Sequence, residues 1–143
     1  MRVRLWLARG LIGFVLFWNV QSAFALLLHP QAFAPAFELS GEPGRAAVQG
    51  TAILFLMWNV PYAVALLHPI RHRISVLEAV CMQAIGVIGE SILRSSLPAE
   101  QFILSRSLER FLIFDAVGLA ALIIALILVW RPQRQPAPEQ APA

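Results

Sequence analysis

Asn19 and Asn59 are amides set in the middle of long apolar runs, and both belong to the same phrase. Trp18-Asn19-Val20 is followed by Ala23, Ala25, Leu26 and Leu27. Trp58-Asn59-Val60 is followed by Ala63, Ala65, Leu66 and Leu67. Each copy then reaches His-Pro, at His29-Pro30 and, one residue sooner, at His68-Pro69. An amide in hydrocarbon needs a partner or a task. Two readings follow. The asparagines hydrogen-bond to each other and fix helix packing, a contribution of about 0.6 kcal/mol on average. Alternatively they contact a ligand, together with Tyr62, which shares the face of Asn59 three residues on. Pro61 stands where the first copy has Gln21. A proline there lacks its own N–H and frees the Met57 carbonyl, either for a ligand or water or for a neighbouring helix.

A second group is charged. Glu90 and Asp115 fall in apolar stretches, with Arg94 four residues after the first and Arg110 shortly before the second. Two carboxylates and two guanidiniums at one level predict an ion-pair network of Glu90, Arg94, Arg110 and Asp115. His29 ends the first run at that level. A polar pocket for a small ligand or lipid headgroup is the second reading. A metal or proton-relay site is the third, but no ligand spacing supports it. Glu78 is explained by a capping box, Ser75-x-x-Glu78. Candidate ligand contacts are therefore Asn19, Asn59, Tyr62, Glu90 and Asp115, with no catalytic assignment, no metal and no cofactor.

Signatures of other chemistries do not occur. There is no Gly-x-Ser-x-Gly, phosphate loop, His-Glu-x-x-His or dinucleotide fingerprint. Gly10-x-x-Gly13 and Gly86-x-x-Gly89 read as packing glycines. Cys81 is the single cysteine, so an intramolecular disulfide is excluded, and its place in an apolar helix predicts a small buried side chain. The basic residues are all Arg, in keeping with coding bias in a GC-rich bacterial genome. No basic stripe with interleaved aromatics points to nucleic acid.

These residues need elements to hold them. Of the 143 residues, 59% are apolar and only 13% charged. A soluble domain is nearer half apolar and a quarter charged. The excess lies in four blocks, about 5–28, 46–68, 76–94 and 108–130. Each is about the 20 residues that a helix needs to cross hydrocarbon. The fold class expected is all-α: a polytopic membrane protein, an antiparallel bundle of four transmembrane helices with an internal inverted repeat in helices one and two. Residues 1–131 form the transmembrane domain, and the Pro-rich tail 132–143 is expected to be disordered and cytoplasmic.

Arg2, Arg4, Arg9 and Ala23-Phe24-Ala25 imitate a cleavable signal. Leu26, Leu27 and Leu28 carry the apolar run past that point, so helix one is expected to be retained. Seven Arg on the N-terminal side of the membrane against four on the other place both termini in the cytoplasm. The loop between helices one and two carries Phe33 and Phe37 with alanines between. It either rests on the outer membrane surface or is a plain tight loop.

Arg9-Gly10-Leu11 opening helix one, the Pro- and Phe-rich loop from Pro30 to Phe37, the Gly-containing turn before helix two, and four helices in this length resemble the DoxX-like group of small bacterial four-helix membrane proteins. The resemblance covers residues 5–130 and carries over no functional residue. Some members are described as accessory membrane subunits of redox systems. The expected function is thus an accessory or structural subunit of a larger membrane assembly in the inner membrane. Its expected partners are the lipid bilayer and either a larger complex or further copies of itself. The alternative is a binder, carrier or enzyme for a quinone or lipid inside the bundle.

Overall fold

A computed structural model describes residues 2–130, and every regular element in that range is helical. Helix α1 spans Arg2–Leu28. A short helix α2, Pro30–Phe33, and a 3-10 turn, Ala34–Phe37, lead to α3, Gly41–Trp58. After one non-helical residue, Asn59, comes α4, Val60–Leu67. Helices α5, Arg73–Ser96, and α6, Phe102–Trp130, complete the described chain. Four segments are long and apolar enough to cross a membrane: α1, α3 with α4, α5 and α6. Their large side chains are widely exposed, Phe17 at 67% and Ile85 at 65% among them. Lipid accounts for that exposure. The expected tail 132–143 lies outside the described residues.

The ends of the helices are tied together by arginines. Arg4 Nη2 donates to the Leu128 carbonyl at 2.8 Å, and Arg9 Nε to the Leu66 carbonyl at 3.1 Å. Arg9 Nη2 also donates to the Leu67 carbonyl. The last carbonyls of a helix have no partner within it, and a cation there meets the negative end of the helix dipole. Arg73 stacks on Trp130, 5.4 Å from the ring centroid. The starts of α1 and α5 therefore lie beside the ends of α4 and α6.

Two apolar clusters form the interior. One gathers Ala8, Ile12, Val15, Tyr62, Ala65, Val76, Ala79, Leu122 and Ala125. The other gathers Leu26, Ala34, Val48 and Ala52, with Phe33 and Phe37 packed on them. Alanine supplies four of the nine in the first and two of the four in the second, which allows close backbone approach.

Several sequence expectations change here. Phe33 and Phe37 turn inward rather than outward along the membrane surface, and Phe37 stacks on Phe111 at 5.8 Å. Helix α5 begins at Arg73, with His72 as its first cap and no side-chain capping bond, so Ser75 is already inside the helix. The turn over 68–72 is closed instead by the Arg71 N–H donating to His68 Nδ1 at 3.2 Å. Cys81 is exposed. Helix two is interrupted at Asn59 rather than continuous from 46 to 68. Its start moves back to Gly41, which takes φ +65°, a left-handed value that favours glycine.

Candidate functional site: a polar centre inside the helices

Asn59 is where the second span breaks. Its backbone has φ −81° and ψ −2°, and Pro61 follows in the first turn of α4. Proline is tolerated there because first-turn N–H groups lack helical acceptors. The Asn59 side chain turns back on α3, and its Nδ2 donates to the Phe55 carbonyl at 2.6 Å. Its Oδ1 is buried and has no hydrogen-bond partner. Asn59 is only 4% exposed and Asn19 6%. No hydrogen bond joins the two side chains. Instead both line one cavity of about 20 Å³, with Phe55, Trp58, Gln83 and Asp115. That is room for about one water.

A directed chain of hydrogen bonds forms the far wall. Tyr62, fully buried, donates its hydroxyl to Gln83 Oε1 at 2.6 Å and lies 3.3 Å from the Ala79 carbonyl. Gln83 Nε2 donates to Asp115 Oδ1 at 2.9 Å and to the Asp115 carbonyl at 3.3 Å. The carboxylate accepts, which orients the glutamine amide, and the freed amide oxygen accepts from tyrosine. Each neutral bond contributes about 1 kcal/mol net, and a bond to the carboxylate about 1.5–3 kcal/mol.

Two glycines make room for this chain. A Cβ on Gly86 would lie 2.7 Å from Asp115 Oδ2, and one on Gly118 would lie 3.0 Å from Gln83 Nε2. By contrast, a Cβ on Gly10 or Gly89 would meet nothing within 4 Å. Of the four glycines read as packing residues, Gly86 does the closest packing, against a polar side chain.

Four of the candidate residues therefore come together: Asn19, Asn59 and Asp115 around the cavity, and Tyr62 one bond behind it. Glu90 stays apart. It does not line the cavity, and its Oε2 is buried without a hydrogen-bond partner. The expected network of Glu90, Arg94, Arg110 and Asp115 does not form. Arg94 pairs with Glu109 instead, at 3.7 Å. Both side chains are about 40% exposed, so the pair contributes about 0–1 kcal/mol. Arg110 and Asp115 are five residues apart on α6, about 140° around the helix. Asp115 therefore points inward when Arg110 points out. Arg110 lines an apolar surface groove of about 290 Å³ with Phe14, Trp18, Ile113, Phe114 and Val117.

Gln83 is the member of this polar centre that was not among the candidate residues. Its signal was present, since it shares a helical face with Gly86 and Glu90. Among the described residues, no group of three or more His, Cys, Asp or Glu side chains is arranged to hold a metal ion. No family model, curated protein or solved structure matches the chain.

Proposed function

We propose that this chain is a small inner-membrane protein of four antiparallel helices, both termini cytoplasmic, that acts as a non-enzymatic subunit of a larger membrane assembly. The bundle reading draws on the arginine ties between the start of α1 and the ends of α4 and α6. The inverted-repeat reading draws on Asn19 and Asn59, which reach one cavity from two spans. The DoxX-like outline belongs to the same proposal.

One observation supports the subunit role above others: the polar centre is tightly packed. Tyr62, Gln83 and Asp115 satisfy one another, and the space beside them admits nothing larger than about one water. A quinone or lipid headgroup has no room there. The polar residues then serve to specify helix pairing, and the exposed apolar faces are left for lipid and partner helices. Extraction in mild detergent followed by native mass measurement tests this. A complex with a second protein, or a defined oligomer, is the expected result. A clean monomer with no co-purifying protein would overturn it. Reporter fusions at residue 40 and at the C-terminus test the orientation, and a cytoplasmic signal at residue 40 would reverse it.

The groove beside Arg110 favours a second reading, a binder of a lipophilic anion on the protein's surface rather than in its interior. Phe14, Trp18, Phe114 and Val117 would hold the apolar part and Arg110 the charged end. Lipid analysis of the purified protein decides it. An anionic lipid retained by the wild type and lost in Arg110→Ala supports it; equal retention refutes it.

A further inference from the structure

We infer that the cavity between Asn19, Asn59 and Asp115 is a binding site for one small monovalent cation of the size of Na⁺.

The argument starts from charge. Asp115 forms no ion pair among the described residues. The polar side chains that bond to it or line the cavity with it, Gln83, Asn19 and Asn59, are neutral. Glu90, close enough to couple with it, is another carboxyl group. An ionised carboxylate in a low-dielectric interior is costly unless a positive charge lies close. Gln83 supplies hydrogen bonds but no charge.

The donors around the space are of one kind. Asn59 Oδ1 is buried without a hydrogen-bond partner, on a residue only 4% exposed. Asn19 contributes a second amide and Asp115 a carboxylate, so the polar part of the wall carries oxygen atoms and no sulfur, and Phe55 and Trp58 supply the apolar remainder. Oxygen donors of this kind suit alkali and alkaline-earth ions. Asp115 is the one carboxylate that lines the cavity, and one carboxylate in direct contact balances a monovalent ion rather than a divalent one. The volume, about 20 Å³, suits one ion without its water shell.

The backbone adds to this. Helix α3 ends at Trp58, and Phe55, Trp58 and Asn59 from its last turn line the cavity. The carbonyls of that turn are largely occupied, Phe55 accepting from both the backbone N–H and Nδ2 of Asn59, so the turn serves to hold Asn59 at the cavity. Interrupted membrane helices hold cations at such breaks, near the membrane centre.

The test uses the full chain in lipid nanodiscs. Its melting temperature is followed by tryptophan fluorescence while NaCl replaces choline chloride at constant ionic strength. Trp58 lines the site and gives a local signal. The expected result is a saturable rise of about 3–8 °C when Na⁺ reaches tenfold its dissociation constant. Asp115→Asn should abolish the rise. Asn59→Ala, which keeps the carboxylate, should weaken apparent Na⁺ affinity about tenfold or more. Identical melting in NaCl and choline chloride overturns the inference, as does a full response retained in Asp115→Asn. If Asp115→Asn does not fold, Asn59→Ala decides: unchanged affinity overturns the site. Radioactive ²²Na⁺ should bind the wild type at about one ion per chain, and no saturable binding overturns the site by itself.

Discussion

The two copies of Trp-Asn-Val share their letters and differ in their geometry. Up to the asparagine they agree. Ala8, Ile12 and Val15 bury inward at 11, 7 and 4 residues before Asn19, and Val48, Ala52 and part-buried Phe55 hold the same places before Asn59. Beyond it they part. The first copy buries Ala23, Leu26 and Pro30, at 4, 7 and 11 residues after Asn19. The second buries Tyr62, Ala65 and Pro69, at 3, 6 and 10 residues after Asn59. The break at Asn59 advances the buried face by one residue, about 100° of helix rotation. The second copy also reaches His-Pro one residue sooner, so its sequence matches the shifted face. The tryptophans, which precede the break, differ too: Trp58 lines the cavity, whereas Trp18 lies 44% exposed between Phe14 and Phe114. A duplicated sequence need not place its residues alike when one copy contains a break.

The largest effect should come from the residue that the shift brings inward. Tyr62→Ala should cost about 3–5 kcal/mol, through the void it leaves and the unpartnered Gln83 oxygen. The matching change in the first copy, Ser22→Ala, should stay within about 0.5 kcal/mol. Unfolding titrations in mixed micelles compare them, and equal losses would break the distinction between the copies.

Exchanging the breakers should be nearly as unequal. Gln21→Pro forces a break into continuous α1 and should cost about 3 kcal/mol or more. Pro61→Gln meets a chain already built for the shifted face, so only about 0.4–1 kcal/mol of rigidity is lost. The same titrations measure both, and a larger loss from Pro61→Gln would show that proline alone holds the break.

Gly86→Ala places a methyl group against Asp115 Oδ2 and should cost about 1–3 kcal/mol. Gly89→Ala, in open space, should change stability by less than about 0.5 kcal/mol. Equal melting temperatures for the two variants would mean that the Asp115 carboxylate is not held against α5.

The smallest effect concerns the outer ion pair. Arg94→Gln should lower stability by no more than about 1 kcal/mol, and added salt should erase most of the difference. A loss that persists in high salt would assign Arg94 a deeper role.

Much of the frame was legible because apolar runs of membrane length carry a strong signal. All four spans were found, and their ends moved by a few residues where arginines and turns hold extra helix. The meeting of Asn19, Asn59 and Asp115 was legible in part, as polar residues on apolar helices must turn inward. Their partners were not. Periodicity gives the face of one helix, but not which residue of another helix stands opposite. Arg94 had Glu90 and Glu109 within reach, and only the packing of α5 on α6 decides between them. The break at Asn59 hid in the same way, since a proline in a membrane helix is compatible with both a kink and a clean interruption.

Arg4 and its acceptor Leu128 are separated by 124 positions of sequence. During synthesis the arginine reaches the bilayer long before that carbonyl exists. A ribosome paused within α6 would leave α1 without its far-end clasp, and the half-made protein would be open to membrane proteases until the final turn is inserted. Closure of the α1–α6 contact thus waits for the last described turn of α6. In the full chain Arg4→Ala should raise protease sensitivity near the start of α1, and unchanged resistance would show that this clasp does not hold α1.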